Sequence, residues 1–158
     1  MRLTALRRRR HDRIGATMVE AAFVMPVIII LTFGLIEFAR AFMAMQMVNA
    51  AARHGAYMSI LDGVTNAEAE AAMRDMLKSA NIEDGVVVEI LDGQPIDDTP
   101  NGGDLPDPDD LSEINLPDAL PRQLLIVRIS VPFEDIAFIT PWWLDDVTIV
   151  GQMAMRHE

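Results

Sequence analysis

The sequence predicts an α+β protein: a long N-terminal transmembrane helix, then a second, amphipathic helix, then a small antiparallel sheet of about three strands. Three observations predict it. A basic N-terminus runs directly into a long apolar segment, a later segment repeats its apolar residues at helical spacing, and three short aliphatic segments read as strands. A chain of 158 residues is long enough for one modest domain and an anchor.

The apolar segment is long enough to cross a bilayer. Residues 21–36 carry no charged side chain and one hydroxyl, Thr32, and nineteen residues are reached at Ala39 if Glu37 is counted. A helix of that length spans roughly 28 Å, close to the ~30 Å of the hydrocarbon core. The alternative, a buried core helix, would rarely be so uniformly apolar.

The distribution of basic residues predicts the orientation of this helix. Six of the 13 Lys and Arg residues lie in the first 13 positions, and the positive-inside rule holds them in the cytoplasm. We therefore expect a single-pass membrane protein whose bulk lies outside the cytoplasm, in the periplasm for a double-membrane cell. It has a basic cytoplasmic leader at 1–15, a transmembrane helix and the start of its extension at 16–45, and a periplasmic domain at 46–158.

A cleaved secretory signal is a rival interpretation of the same segment. Ala50, Ala51 and Ala52 offer a small-x-small cleavage site, and cutting after Ala52 would release a soluble secreted protein. This site lies well past the end of the apolar core, and ordinary signals have a shorter core of about 7–15 residues. The anchor is therefore favoured.

Composition argues against several classes of function. The net charge is −11, and between residues 83 and 118 there are twelve acidic residues and no Lys or Arg, which disfavours nucleic-acid binding. Cysteine is absent, so disulfides and Cys-ligated metals are excluded. His11, His54 and His157 are scattered, and no motif assembles a catalytic set. We expect no enzyme activity, no metal site and no cofactor.

A second helix is predicted after a turn. Asp62-Gly63 favours a left-handed helix end, and Thr65 with Glu68 forms a Ser/Thr-x-x-Glu capping box. One apolar stripe then follows at helical spacing. Its members are Ala69, Ala72, Met73, Met76, Leu77 and Ala80.

Three strands complete the expected domain, at residues 86–91, 124–133 and 147–155. Between the first two lies an acidic segment, residues 92–121, which holds six of the nine prolines. We expect a mobile or poorly ordered loop there. Its acidic residues lack the register of a calcium-binding loop, so a solvated charge run is favoured over a cation site. Trp142 and Trp143 are adjacent, and one of them could anchor a partner or the membrane interface.

The sequence GATMVE, at the start of the apolar segment, combines a glycine with a carboxylate five residues later. Gly15 lacks a Cβ, so an extended, protease-accessible backbone is easy there. Cleavage after Gly15 would remove the basic leader and expose the amine of Ala16. Glu20 would then lie near a helix N-terminus, where the macrodipole favours a carboxylate. The alternatives are that Gly15 is only a loop residue before the helix and that Glu20 is only an interfacial acid beside Arg13.

Three further residues of the apolar helix stand out. Pro26 lacks an N–H, so the helical hydrogen bond to the carbonyl of Ala22 is lost and the helix can kink or locally melt. Glu37 and Arg40 are an i,i+3 pair that we expect to pair at the outer interface rather than to serve in recognition.

The segment resembles the class III signal of type IV pilin-like proteins: a basic leader, Gly15, Glu20, then an apolar helix. More narrowly, it is similar to the TadE-like family, the pseudopilins or minor pilins of the tight-adherence (Flp) pilus apparatus. The shared features are Val19-Glu20, Pro26, the exit GLIEFARA and the stretch NAAARHGA. The resemblance is dense over residues 7–56. Beyond them it is limited to a second helix, a few strands and the end AMRHE.

The resemblance implies a pilin-like fold and a structural role. Gly15 would be the last leader residue, Ala16 the mature N-terminus and Glu20 the acidic position of the family's motif. Many pilins begin with an aromatic residue, and Ala16 departs from that pattern. The implied partners are the membrane lipid bilayer, a prepilin peptidase, other pilins and pseudopilins, and pilus assembly proteins. The alternative is a signal-anchored extracytoplasmic binding module whose acidic loop takes cations or basic partners.

Overall fold

The computed structural model describes residues 8–100, 103–137 and 147–157, with side chains described from residue 15 onward. The chain forms two compact units, residues 1–39 and 40–158, which are taken separately below. The first seven residues of the basic leader and the Trp142-Trp143 pair lie outside the described residues.

Helix α1, Arg8–Ser59, provides all of the described structure in the first unit. From Gly15 to Ile36 every residue is exposed, although nearly all are apolar. The segment from Gly15 to Ser59 contains an 18-residue window with a mean hydropathy of 2.4 and no buried residue, which fits a membrane span by length and composition. The predicted apolar helix is therefore present, and its exposed apolar surface indicates membrane anchoring.

The turn after α1 and the start of α2 follow the predicted signals. Helix α1 ends at Ser59, slightly before the predicted end, and Gly63 takes a positive φ of 80°. Helix α2, Asn66–Ser79, begins with the predicted capping box: Glu68 N–H donates to the Thr65 hydroxyl, and Thr65 N–H donates to the Glu68 carboxylate. The hydrogen bonds that the Thr65 N–H and hydroxyl donate to the Glu68 carboxylate hold the pKa of this carboxyl below its ordinary value.

The three predicted strands form one antiparallel sheet of order β1-β2-β3. Strand β1 is Val87–Asp92, β2 is Leu124–Pro132 and β3 is Thr148–Arg156, so each lies within one residue of its predicted bounds. Strand β2 is central, with Val127 opposite Ile90 on one side and Met153 on the other. The expected α+β fold is confirmed.

The core of the second unit lies between the sheet and the two helices. Strand β2 contributes alternate residues to it, namely Leu125, Val127, Ile129 and Val131. From α1 the same core takes mostly small side chains, which let the helix come close to the sheet: Ala44, Val48, Ala51, Ala52 and Ala56. From α2 it takes one stripe, in which Ala69, Met73 and Leu77 are buried as the periodicity predicts.

Two glycines mark the closest approaches in this core. A Cβ on Gly151 of β3 would lie 2.9 Å from the Val48 carbonyl carbon and 3.0 Å from the Asn49 nitrogen of α1. A Cβ on Gly55 of α1 would overlap the side chain of Met73 in α2. The sheet and α2 therefore both pack on α1 at positions that have no room for a side chain.

The acidic segment between β1 and β2 differs from the expected poorly ordered loop. Among its described residues it forms a short helix α3, Gln94–Asp97, and 3-10 turns at Pro108–Asp110 and Leu116–Asp118. The Asn66 side chain donates to the Ile114 carbonyl at 2.8 Å and accepts from the Leu116 amide at 2.7 Å. The Leu116 side chain is buried. This burial and the two hydrogen bonds to Asn66 hold the acidic segment against helix α2 and the core.

Two ion pairs connect the same acidic segment to the sheet. Asp109 pairs with Arg128 of β2. Asp97 accepts hydrogen bonds from both terminal nitrogens of Arg156 in β3, at 2.7 and 3.0 Å. These hydrogen bonds hold the pKa of the Asp97 carboxyl below its ordinary value and raise that of Arg156. Composition alone could not reveal these cations, because both arginines lie in strands after the acidic run.

Candidate processing and assembly site

Gly15 lies inside α1, where its backbone is helical and not extended. It is exposed, and a Cβ built on it would meet nothing within 4 Å. A protease that needs an extended strand must therefore unwind α1 locally to reach the bond after Gly15. Glycine is the non-proline residue that resists such unwinding least, by about 1 kcal/mol relative to alanine.

Glu20 follows one turn further along the same helix and is exposed. Its neighbours Val19 and Phe23 are exposed apolar residues, at 59% and 77%, so the carboxylate lies within the apolar surface. Four residues of helix separate it from Ala16, which is about 6 Å along the axis. An amine created at Ala16 would therefore be one turn from this carboxylate.

Pro26 lies within α1, and helical structure is unbroken on both sides of it. Helix α1 therefore continues through Pro26. The ring still removes the N–H that would bond to the carbonyl of Ala22, and membrane helices tolerate this loss.

Glu37 and Arg40 fall on the two sides of the boundary between the units. Glu37 is half-buried. The Nη2 of Arg40 donates to the Ile136 carbonyl at 2.7 Å, just after the 3-10 turn Phe133–Asp135. Arg40 thus bonds to backbone far along the chain, a contact that local spacing did not indicate. The Glu37–Arg40 pair stays a prediction.

An open cavity of about 420 Å³ lies beside Arg40 in the second unit. Met43, Met47, Asp135 and Ile136 are among the residues that line it. Within the described part of the chain, no group of three or more His, Asp or Glu side chains is placed to hold a metal ion.

Comparison with known proteins bears on the segment that holds these residues. Residues 15–56 match the family model described as TadE-like protein. No curated protein and no solved structure matches the chain. The matched segment begins at Gly15 and includes Glu20, Pro26, Glu37 and Arg40. The chain therefore carries a TadE-like segment that runs from the predicted cleavage residue into the second unit, similar to the proteins of the tight-adherence pilus system.

Proposed function

We propose that this protein is a TadE-like pseudopilin, or minor pilin, that supports biogenesis of tight-adherence (Flp) pili from the inner membrane. One observation carries the proposal. Gly15 and Glu20 lie at the start of an exposed apolar helix, within the segment that matches the TadE-like family. Its role is structural, and its chemistry is confined to being cut by a prepilin peptidase.

The proposed cut hydrolyses the peptide bond between Gly15 and Ala16. The oxygen of a water molecule adds to the Gly15 carbonyl carbon, so the released leader ends in a carboxylate. The nitrogen of Ala16 takes up the proton, so the anchored chain begins with an ammonium. Removal of the leader takes away six of the chain's 13 basic residues and leaves the apolar helix intact. The cytoplasmic arginines therefore orient the precursor and are absent from the assembled form.

The new ammonium would change the energetics of Glu20. A charged side chain well inside the bilayer costs about 2.5–3.5 kcal/mol on insertion scales. The amine of Ala16 can offset this cost within one chain, or the amine of a packed neighbour can do so between chains. Glu20 thus favours assembly of processed chains over dispersal in lipid.

The exposed apolar surface of α1 supports a helical partner as well as lipid. Large exposed apolar residues extend from Met18 to Met45, roughly 40 Å of helix at 1.5 Å per residue. The hydrocarbon core is only about 30 Å thick. The excess is explained if apolar helices of other pilins or pseudopilins cover part of α1.

The N-terminus of the membrane-extracted protein tests the proposal directly. In cells with a working prepilin peptidase, N-terminal sequencing and intact mass should give a chain that begins at Ala16. Cells that lack the peptidase should give the intact leader and serve as the control. An intact leader in both strains would overturn the processing proposal, and a chain that begins after Ala52 would show secretion.

The Glu20→Gln variant should process normally but assemble poorly. It keeps the size of the side chain and removes the charge that would pair with an amine. We expect surface pili to fall at least about tenfold, which needs about 1.4 kcal/mol of the roughly 2.5–3.5 kcal/mol that pairing can offset. The matched control is Glu37→Gln, the same change further along α1. Normal piliation in the Glu20 variant would contradict a role for this carboxylate.

A further inference from the structure

The two edges of the sheet differ in a way that the proposed function does not explain. The edge of β1 is covered by the acidic segment. Along the edge of β3, the described residues supply no backbone partner between Thr148 and Arg156. Because no other strand lies beside it among the described residues, this nine-residue edge is an available template for another strand.

The hydrogen bonds around β3 show which of its backbone groups point outward. Phe133 N–H donates to the Val147 carbonyl, and His157 N–H donates to the Gln123 carbonyl. Both pairs follow the β2–β3 register, so the odd-numbered residues of β3 bond to β2. The even-numbered residues therefore point their N–H and C=O groups away from the sheet. They are all exposed: Thr148, Val150, Gln152, Ala154 and Arg156.

On β1, two outward groups near the C-terminal end of the strand are already used. Ile114 N–H donates to the Ile90 carbonyl at 3.0 Å, and Asp92 N–H donates to the Ser112 carbonyl at 2.9 Å. Leu91 and Glu113 form an isolated antiparallel bridge between these bonds. The acidic segment thus blocks strand addition at one edge and leaves β3 as the edge that can accept it.

We propose that the outer edge of β3 binds an extended, basic segment of another polypeptide by strand addition. The outward N–H and C=O groups are spaced for a peptide backbone, which gives affinity in this binding mode. The edge also has few of the features that discourage pairing, since β3 contains no proline and Arg156 is its one charged residue.

The charge of the second unit specifies a basic occupant. Residues 40–158 contain seven Lys and Arg and 21 Asp and Glu, a formal charge of −14. The one cation of β3, Arg156, is already paired with Asp97. An approaching strand therefore meets a negative field, which favours lysine and arginine in that strand.

A second copy of this chain fits the edge poorly. Two such units would each bring a formal charge of −14. Antiparallel pairing of β3 with its copy also creates a two-fold axis normal to the sheet. Residues 44–56 of α1 pack along the sheet, so this axis would point that part of α1 in opposite directions in the two copies.

Hydrogen exchange on the purified full chain in neutral detergent tests the proposal. The probe is a short synthetic peptide of alternating valine and threonine with lysine at both ends. We expect the amides of Val150, Gln152 and Ala154 to exchange at least tenfold more slowly with the peptide, while the amides that already bond to β2 stay unchanged. No added protection at a saturating peptide concentration would overturn the proposal.

Two controls separate strand addition from other binding. Gln152→Pro removes one outward N–H and no bond to β2, so peptide binding should weaken at least tenfold while Gln152→Thr retains it. If the proline variant fails to fold, a peptide with N-methyl groups on alternate residues replaces it and should not bind. If a peptide with glutamate in place of the terminal lysines binds with equal affinity, the proposal that the partner is basic is overturned. If the same amides become protected without peptide when the protein concentration is raised, the edge binds a second copy of this chain.

Discussion

Replacing Gly15 with alanine is expected to slow removal of the basic leader about fivefold or more. The structure has Gly15 in a helix, so cleavage requires local unwinding, and alanine raises the cost of unwinding by about 1 kcal/mol, a factor of about five. Nothing lies within 4 Å of the added Cβ, so the folded chain accepts the change. Pulse labelling followed by intact mass gives the rate.

Gly34 provides a matched control for this variant. It lies in the same helix, and a Cβ on it also meets nothing within 4 Å. Gly34→Ala stiffens α1 far from the proposed cut and should leave the processing rate unchanged. If both variants are processed more slowly to the same extent, the effect of alanine does not depend on its distance from the cut. If the Gly15 variant is processed at the normal rate, the cleaved bond lies elsewhere in the chain.

Replacing Gly151 with valine is expected to destabilise the second unit by about 1–3 kcal/mol, or more. The new side chain would meet the backbone of α1 at Val48 and Asn49, which cannot rotate away as a side chain can. Helix α1 must shift off the sheet, and the core on both sides of it loosens. Denaturant unfolding of the purified full chain in detergent, followed by circular dichroism, measures the change.

Ala154→Val is the control in the same strand. Ala154 is exposed on the opposite face, so a larger β-branched side chain there meets no core atoms and suits a strand. Its unfolding free energy should stay within about 0.5 kcal/mol of the unmodified chain. Equal stability of the Gly151 and Ala154 variants would mean that α1 and β3 are further apart than the structure shows.

Local signals predicted the regular elements well. The capping box at Thr65 and Glu68 depends on residues three apart, and the strand ending at Asp92 depends on a turn-forming Asp-Gly pair. Each of these signals acts within one turn or one strand. Their effect can therefore be predicted without knowing the rest of the chain.

The acidic segment shows where local interpretation fails. Its composition predicts a mobile or poorly ordered loop, yet Leu116 is buried and the Asn66 side chain hydrogen-bonds to the backbone of Ile114 and Leu116. Asp97 and Asp109 are held by arginines far along the chain. Contacts between residues so distant in sequence leave no periodic trace, so composition alone suggested a lack of order.

The sequence by itself determined the apolar helix, the spacing from Gly15 to Glu20 and the strand positions, because these are properties of consecutive residues. Only the tertiary structure decided that Gly15 is helical and that Arg40 bonds to Ile136. It also decided that the acidic segment pairs with the end of β1, while no other described residue pairs with the outer edge of β3. The physical reason is that hydrogen-bond partners and buried contacts are set by how distant elements pack, and packing depends on the whole folded chain.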